Sequence, residues 1–168
     1  MLRLAFLAVC IFGLAKAYYQ NDWDRPHHFQ CPKGQYVTSV HSIHDNGKED
    51  RRWELKCGGE WVTENCVWST HANSWDSQLY FLCPNNMVVT GMDSYHNNHK
   101  EDRLFKFRCC GIGGIGKFPR NCRMTDWVNY WDGPMNFQLS KGKVITGAYS
   151  VHDNHKEDRR WRFQVCEI

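Results

Sequence analysis

The chain has 168 residues, with 21 Lys and Arg against 18 Asp and Glu, a net charge of +3, nine histidines and nine cysteines. That length suits one domain with a real core, and so small a charge gives no electrostatic case for a nucleic-acid or heparin binder. The chain carries no Asn-x-Ser/Thr sequon, which argues against N-glycosylation.

The first segment, MLRLAFLAVCIFGLAKA, has an early basic residue, an apolar run from Leu4 to Leu14 and Ala15-x-Ala17 at its end. These features predict a secretory signal over residues 1–17, with an apolar run too short to span a bilayer. The expected mature chain, 18–168, is extracellular and has no membrane span. Losing Arg3 and Lys16 takes the net charge from +3 to about +1. All nine histidines lie beyond residue 17, so mild acid is expected to make the surface positive.

From there the chain writes one unit three times. Trp23-Asp24 returns at Trp75-Asp76 and Trp131-Asp132, and the same interval leads from each pair to Trp53, Phe105 and Trp161. The repeats cover about 21–59, 73–111 and 129–168, a pattern that predicts three supersecondary units in one structure. In each unit a short strand holds Phe29, Phe81 or Phe137. A longer one follows in YVTSVHSIH, MVVTGMDSYH or VITGAYSVH. Next comes the repeated polar phrase: HDNGKEDRRW from His44, HNNHKEDRLF from His96 and HDNHKEDRRW from His152. It reads as a hairpin loop, with Asn46-Gly47 suited to positive φ. The strand after it alternates. Trp53, Leu55 and Cys57 share one face, as do Phe105, Phe107 and Cys109, and Trp161, Phe163 and Val165. A fourth strand is expected within EWVTENCVWST and CRMTDWVNYW. GIGGIGKFPRN, residues 111–121, is a Gly-rich linker whose G-x-G-x-x-G lettering lacks the βαβ context of a nucleotide site. The fold class is therefore all-β, a single domain of three repeats with pseudo-threefold symmetry, β-trefoil or β-prism-like.

Cysteine spacing follows the repeat. Cys31 and Cys57 are 26 apart, as are Cys83 and Cys109, while Leu139 and Val165 replace both members in the third unit. Cys66 and Cys110 are 44 apart, as are Cys122 and Cys166. Eight cysteines allow 105 pairings. Repeat symmetry selects Cys31–Cys57, Cys66–Cys110, Cys83–Cys109 and Cys122–Cys166. Secretion favours disulfides over zinc, for which no Cys-x-x-Cys pair exists.

Asn21-Asp22-Trp23-Asp24 with its copies at Asn73 and Asn129, the three His-x-Asn-x-Lys-Glu-Asp-Arg segments, Cys109-Cys110 and the closing RRWRFQVC together resemble the dermatopontin family. The likeness covers essentially the whole mature chain and leans to the invertebrate, aggregation-factor type of member. Of the acidic, tyrosine-rich N-terminal segment of vertebrate members, only Tyr18, Tyr19, Asp22 and Asp24 remain. The resemblance implies a secreted adhesion or matrix protein with no catalysis, which binds proteoglycans or other matrix components and in some relatives agglutinates cells.

The repeated phrase has two readings. Asp50-Arg51 with Trp53, Asp102-Arg103 with Phe105, and Asp158-Arg159 with Trp161 form a structural motif, in which Arg51 grips Asp50 or Glu49 to fix the turn. His44, Asn46, Lys48 and Glu49 are ligand-binding candidates beside Trp53 or Trp23. So are His96, Asn98, Lys100 and Glu101, and His152, Asn154, Lys156 and Glu157. Three such sites give a multivalent lectin or agglutinin. The alternative is a matrix component that binds proteoglycans or proteins without direct sugar recognition. Expected partners are cell-surface or matrix glycans, sulfated glycosaminoglycans among them, matrix proteins, and a second copy by self-association. Contact with sulfated glycans through Lys48, Arg51, Arg52 and their repeats is expected to strengthen below pH ~6.5. His96/His99 and His152/His155 sit three apart, but Gly47 breaks that pattern in the first copy, so no metal site and no cofactor is expected. No Gly-x-Ser-x-Gly or His-Glu-x-x-His occurs, and identical residues in every unit argue against an enzyme.

Overall fold

The computed structural model describes residues 18–114 and 116–168; the signal expected over 1–17 lies outside them. Among the described residues, eleven strands form three sheets. Each unit contributes one long hairpin: β2 (Tyr36–Asp45) with β3 (Asp50–Gly58), β6 (Val88–Asn97) with β7 (Asp102–Ile112), and β10 (Lys143–Asp153) with β11 (Asp158–Glu167). The short strands β1 (His27–Gln30), β5 (Leu79–Leu82) and β9 (Met135–Gln138) do not join their own hairpins. β1 pairs with β6 of the second unit, β5 with β10 of the third, and β9 with β2 of the first. Every unit lends a strand to the next, so the chain closes on itself as a cycle. β4 (Val62–Trp68) and β8 (Arg120–Met124) complete the outer edges of β7 and β11.

A register shift repeats at Thr38, Thr90 and Thr146. At each, the threonine carbonyl turns outward and accepts an N–H from the chain just after the lent strand: Leu139 on Thr38, Cys31 on Thr90 and Cys83 on Thr146, at 2.9, 2.8 and 2.8 Å. The extra residue thus supplies an acceptor that a regular ladder would have used up. Four disulfides join Cys31–Cys57, Cys66–Cys110, Cys83–Cys109 and Cys122–Cys166. The 44-residue pair ties β4 to β7 and β8 to β11. The first unit has Gly58 at the matching position, and its sheet has three strands where the others have four.

The alternating aromatics meet at the centre. Trp53, Phe105 and Trp161 pack edge to face on one another, with ring centroids 5.8, 5.5 and 4.8 Å apart. That arrangement sets the positive edge of one ring against the negative face of the next. Leu55, Phe107 and Phe163, two residues on, extend the same core. Leu79 and Met135, the first residues of β5 and β9, are fully buried, and His27 fills the matching place on β1. Among the described residues its Nδ1 has no hydrogen-bond partner, and its Nε2 lies 3.2 Å from Gln20 Oε1.

Burial first, then the charges of Arg103 and His28, push the His27 imidazole from 6.5 down to about 3. A group depressed in this way contributes stability above 6.5, and that contribution is lost as pH falls from 6.5 toward 3. His27→Met, which copies Met135, is expected to flatten the fall in melting temperature between pH 7 and pH 4 relative to wild type. Parallel curves for the two proteins would show that His27 carries none of the acid sensitivity.

Candidate functional site

The three hairpin tips are built alike. Asp45 Oδ1 accepts the N–H groups of Gly47 and Lys48 at 2.8 and 3.1 Å. Asn97 does the same for His99 and Lys100, and Asp153 for His155 and Lys156. This side-chain turn starts the loop. The loop ends on a left-handed residue, which is the glutamate: φ is 48° at Glu49, 43° at Glu101 and 44° at Glu157. The Asn46-Gly47 expectation is corrected here, since neither residue has positive φ. A β-carbon in that region costs energy, and the backbone reversal it gives sends the next residue, an aspartate, into the interior.

That interior holds a ring of charge. Arg103 donates from Nε and Nη2 to Asp50 at 2.5 and 2.7 Å, Arg159 to Asp102 at 2.6 and 2.6 Å, and Arg51 to Asp158 at 2.5 and 2.7 Å. Each fork spans two units. The pairing of Arg51 with its neighbour Asp50 or Glu49 is therefore corrected: adjacent strand residues face opposite ways, and the guanidinium finds its carboxylate across the unit boundary. Each Nη2 also donates to a turn carbonyl of the other unit, Arg51 to Gly133, Arg103 to Arg25 and Arg159 to Ser77. Each aspartate also accepts from the N–H of Asp24, Asp76 or Asp132, themselves at φ 60°, 57° and 57°. Burial pushes the Asp50 carboxyl upward, but the bonds from His96 and Arg103 outweigh it and hold the group well below the usual carboxylate range.

Asn21, Asn73 and Asn129 bind the second edge of each motif. Their Oδ1 accepts from the N–H of Trp53, Phe105 and Trp161 at 2.8, 3.0 and 2.9 Å, while Nδ2 donates to the carbonyls of Arg51, Arg103 and Arg159. A side-chain amide thus stands in for a neighbouring strand. The clue was in the sequence as Asn-x-Trp-Asp, read only as a family mark.

The twelve ligand candidates separate into two sets. Asn46, Lys48, Asn98, Lys100, Asn154 and Lys156 are exposed at the tips, where Lys100 and Lys156 pair with Asp76 and Asp132 at 3.0 Å. The histidines and glutamates turn inward. The side chains of His44, His96 and His152 are only 1% exposed, and with Glu49, Glu101 and Glu157 they line a central cavity of about 20 Å³ above the charge ring. His96 Nδ1 lies 3.3 Å from Asp50, and His44 Nδ1 lies 3.3 Å from Asp158. Burial lowers the His44 imidazole. It pulls on His96 too, but the Asp50 carboxylate raises that ring overall. Trp53 is 1% exposed and closed to any ligand.

Aromatic surface lies elsewhere. Arg52 stacks over Tyr19 and Trp23 at 4.8 and 5.5 Å, and Arg160 over Trp127, Tyr130 and Trp131 at 4.6, 5.9 and 5.8 Å. In the second unit Leu104 holds the matching place, beside His71, Trp75 and Tyr95, which pack edge to face.

A cyclic body of disulfide-stapled β units, with its repeated charges spent on joining those units, is a structural all-β module. A dermatopontin family model matches residues 21–168. The chain is 43% identical over 149 residues to dermatopontin of Biomphalaria glabrata, covering 89% of this chain and 99% of that one. It is 40% identical over 148 residues to the hemagglutinin/amebocyte aggregation factor of Limulus polyphemus, covering 88% and 86%. Human dermatopontin is 28% identical over 153 residues, covering 83% and 72%. No solved structure matches. This chain belongs to the dermatopontin family and is a secreted, disulfide-rich extracellular matrix protein. Among the described residues no helix is long and apolar enough to cross a membrane.

Removing one member of a buried ion pair strands the other. Asp50→Asn leaves Arg103 uncompensated and is expected to cost about 3–5 kcal/mol of unfolding free energy in urea. A loss under ~1 kcal/mol would place the ring's contribution at that of an ordinary surface pair.

Proposed function

We propose that this protein is a structural connector of the extracellular matrix, which binds proteoglycans or matrix proteins through its outer faces. The observation that carries this reading is the pair of arginine–aromatic clusters, Arg52 with Tyr19 and Trp23, and Arg160 with Trp127, Tyr130 and Trp131. Trp, Tyr and Arg are the residues that dominate protein interfaces, and a stacked guanidinium also suits sulfate or carboxylate groups. The clusters sit on different units of one cyclic body, which supports simultaneous contacts and bridging. In this reading residues 18–168 act as one domain of three repeats, freed from 1–17. The body is prism-like and pseudo-threefold, because each hairpin anchors a separate sheet with a lent strand.

Direct sugar recognition is the second reading. It is favoured by the name of the Limulus relative, a hemagglutinin, and by the exposed asparagines at all three tips. The exposed histidines are His28, His71, His99 and His155, apart from the inward set.

Solid-phase binding to purified proteoglycans and collagens, run beside a glycan array, separates the two. The matrix reading expects binding that free sugars do not compete, and at least a tenfold loss in an Arg52→Ala, Arg160→Ala double variant. Sugar competition, with graded loss across Asn46→Ala, Asn98→Ala and Asn154→Ala, would replace it by the lectin reading.

A further inference from the structure

We propose that Asn46 is a site of spontaneous chemical modification, at which the side-chain amide is lost as ammonia through a cyclic imide and water leaves an isoaspartate or aspartate in its place. Asn46-Gly47 is the one Asn-Gly pair in the chain. The reaction needs the nitrogen of the following residue to reach the asparagine Cγ, and glycine has no β-carbon to block that approach. Asn98 and Asn154 hold the same place on the other two tips but are followed by His99 and His155.

The second argument is the proton. An amide nitrogen attacks only as its N–H proton is removed. Gly47 donates that hydrogen to Asp45 Oδ1 at 2.8 Å, which places a carboxylate where a general base is needed. A β-carbon at position 47 would stand 3.3 Å from the same oxygen, so a side chain there crowds the base. On the second tip the acceptor is the amide oxygen of Asn97, a far weaker base.

The third argument is freedom of the tip. Lys100 and Lys156 strap the second and third tips to Asp76 and Asp132 at 3.0 Å. Among the described residues Lys48 makes no such pair, and Asp24, the matching carboxylate, lies 3.9 Å from His96 instead. Asn154 Oδ1 lies 3.0 Å from His152 Nδ1, whereas the exposed Asn46 has no side-chain hydrogen bond among the described residues.

In the first step a bond forms between Gly47 N and Asn46 Cγ. The side-chain nitrogen leaves with the transferred proton as ammonia. Water then opens the ring. Attack at the backbone carbonyl of residue 46 gives isoaspartate, whose main chain runs through Cβ and Cγ, and attack at Cγ gives aspartate. No oxidant, reductant or enzyme enters. Either product sets a new carboxylate beside Asp45 and Glu49 on one tip, and the neutral amide that all three tips carry at synthesis survives on the other two.

For the test, full-length secreted protein is held at neutral pH and physiological temperature and sampled over weeks. Peptide mapping by mass spectrometry locates the acid product, and labelling with an isoaspartyl methyltransferase detects the β-linked form. Conversion is expected at Asn46 at least about tenfold faster than at Asn98 or Asn154. Gly47→His, which copies the other two tips, is expected to slow it at least about tenfold without lowering the melting temperature. Asp45→Asn retains the turn, as Asn97 shows, and is expected to slow conversion severalfold by removing the base. Equal rates on all three tips, no conversion at Asn46, or an unchanged rate in either variant would each overturn the proposal.

Discussion

The bidentate bond from each arginine to an aspartate of a different unit is the interaction on which the rest of the structure depends. Taken alone, a hairpin with one short strand has too little core to stand by itself. Lending that strand to the next unit commits all three, and the Arg51–Asp158, Arg103–Asp50 and Arg159–Asp102 forks fix the angle at which they meet. Desolvating six charges is expensive, and the expense is offset because every oxygen and most guanidinium nitrogens find partners. The aromatic triangle of Trp53, Phe105 and Trp161 packs two residues further along each strand, its backbone N–H groups bound by Asn21, Asn73 and Asn129.

This construction explains why the repeated phrase changes so little between copies. A cycle has no free end at which one unit can drift, so an altered aspartate in one unit leaves an unpaired arginine in another. The left-handed glutamates share the constraint, since their backbone angle carries the chain from tip to ring. Variation is tolerated where no unit leans on another: Gly47 against His99 and His155, and Leu104 against Arg52 and Arg160. Those are also positions at which the three copies differ while the ring residues stay the same.

The central cavity and the outer arginine–aromatic clusters are separate resources. One is lined by the inward histidines and glutamates over the charge ring; the other is cationic and aromatic.

The sequence by itself determined the all-β class, the three units and their hairpins. Aromatic alternation from Trp53, Phe105 and Trp161 and equal cysteine spacing are local or periodic signals that survive without coordinates. Tertiary structure decided which groups meet. Arg51 and Asp50 are neighbours in the chain and partners of different units in space, because adjacent strand residues face opposite ways and the units close in a cycle. The same closure turned His44 and Glu49 inward while leaving Asn46 and Lys48 outside. No reading of one repeat shows that split, because the cavity exists only where three repeats converge.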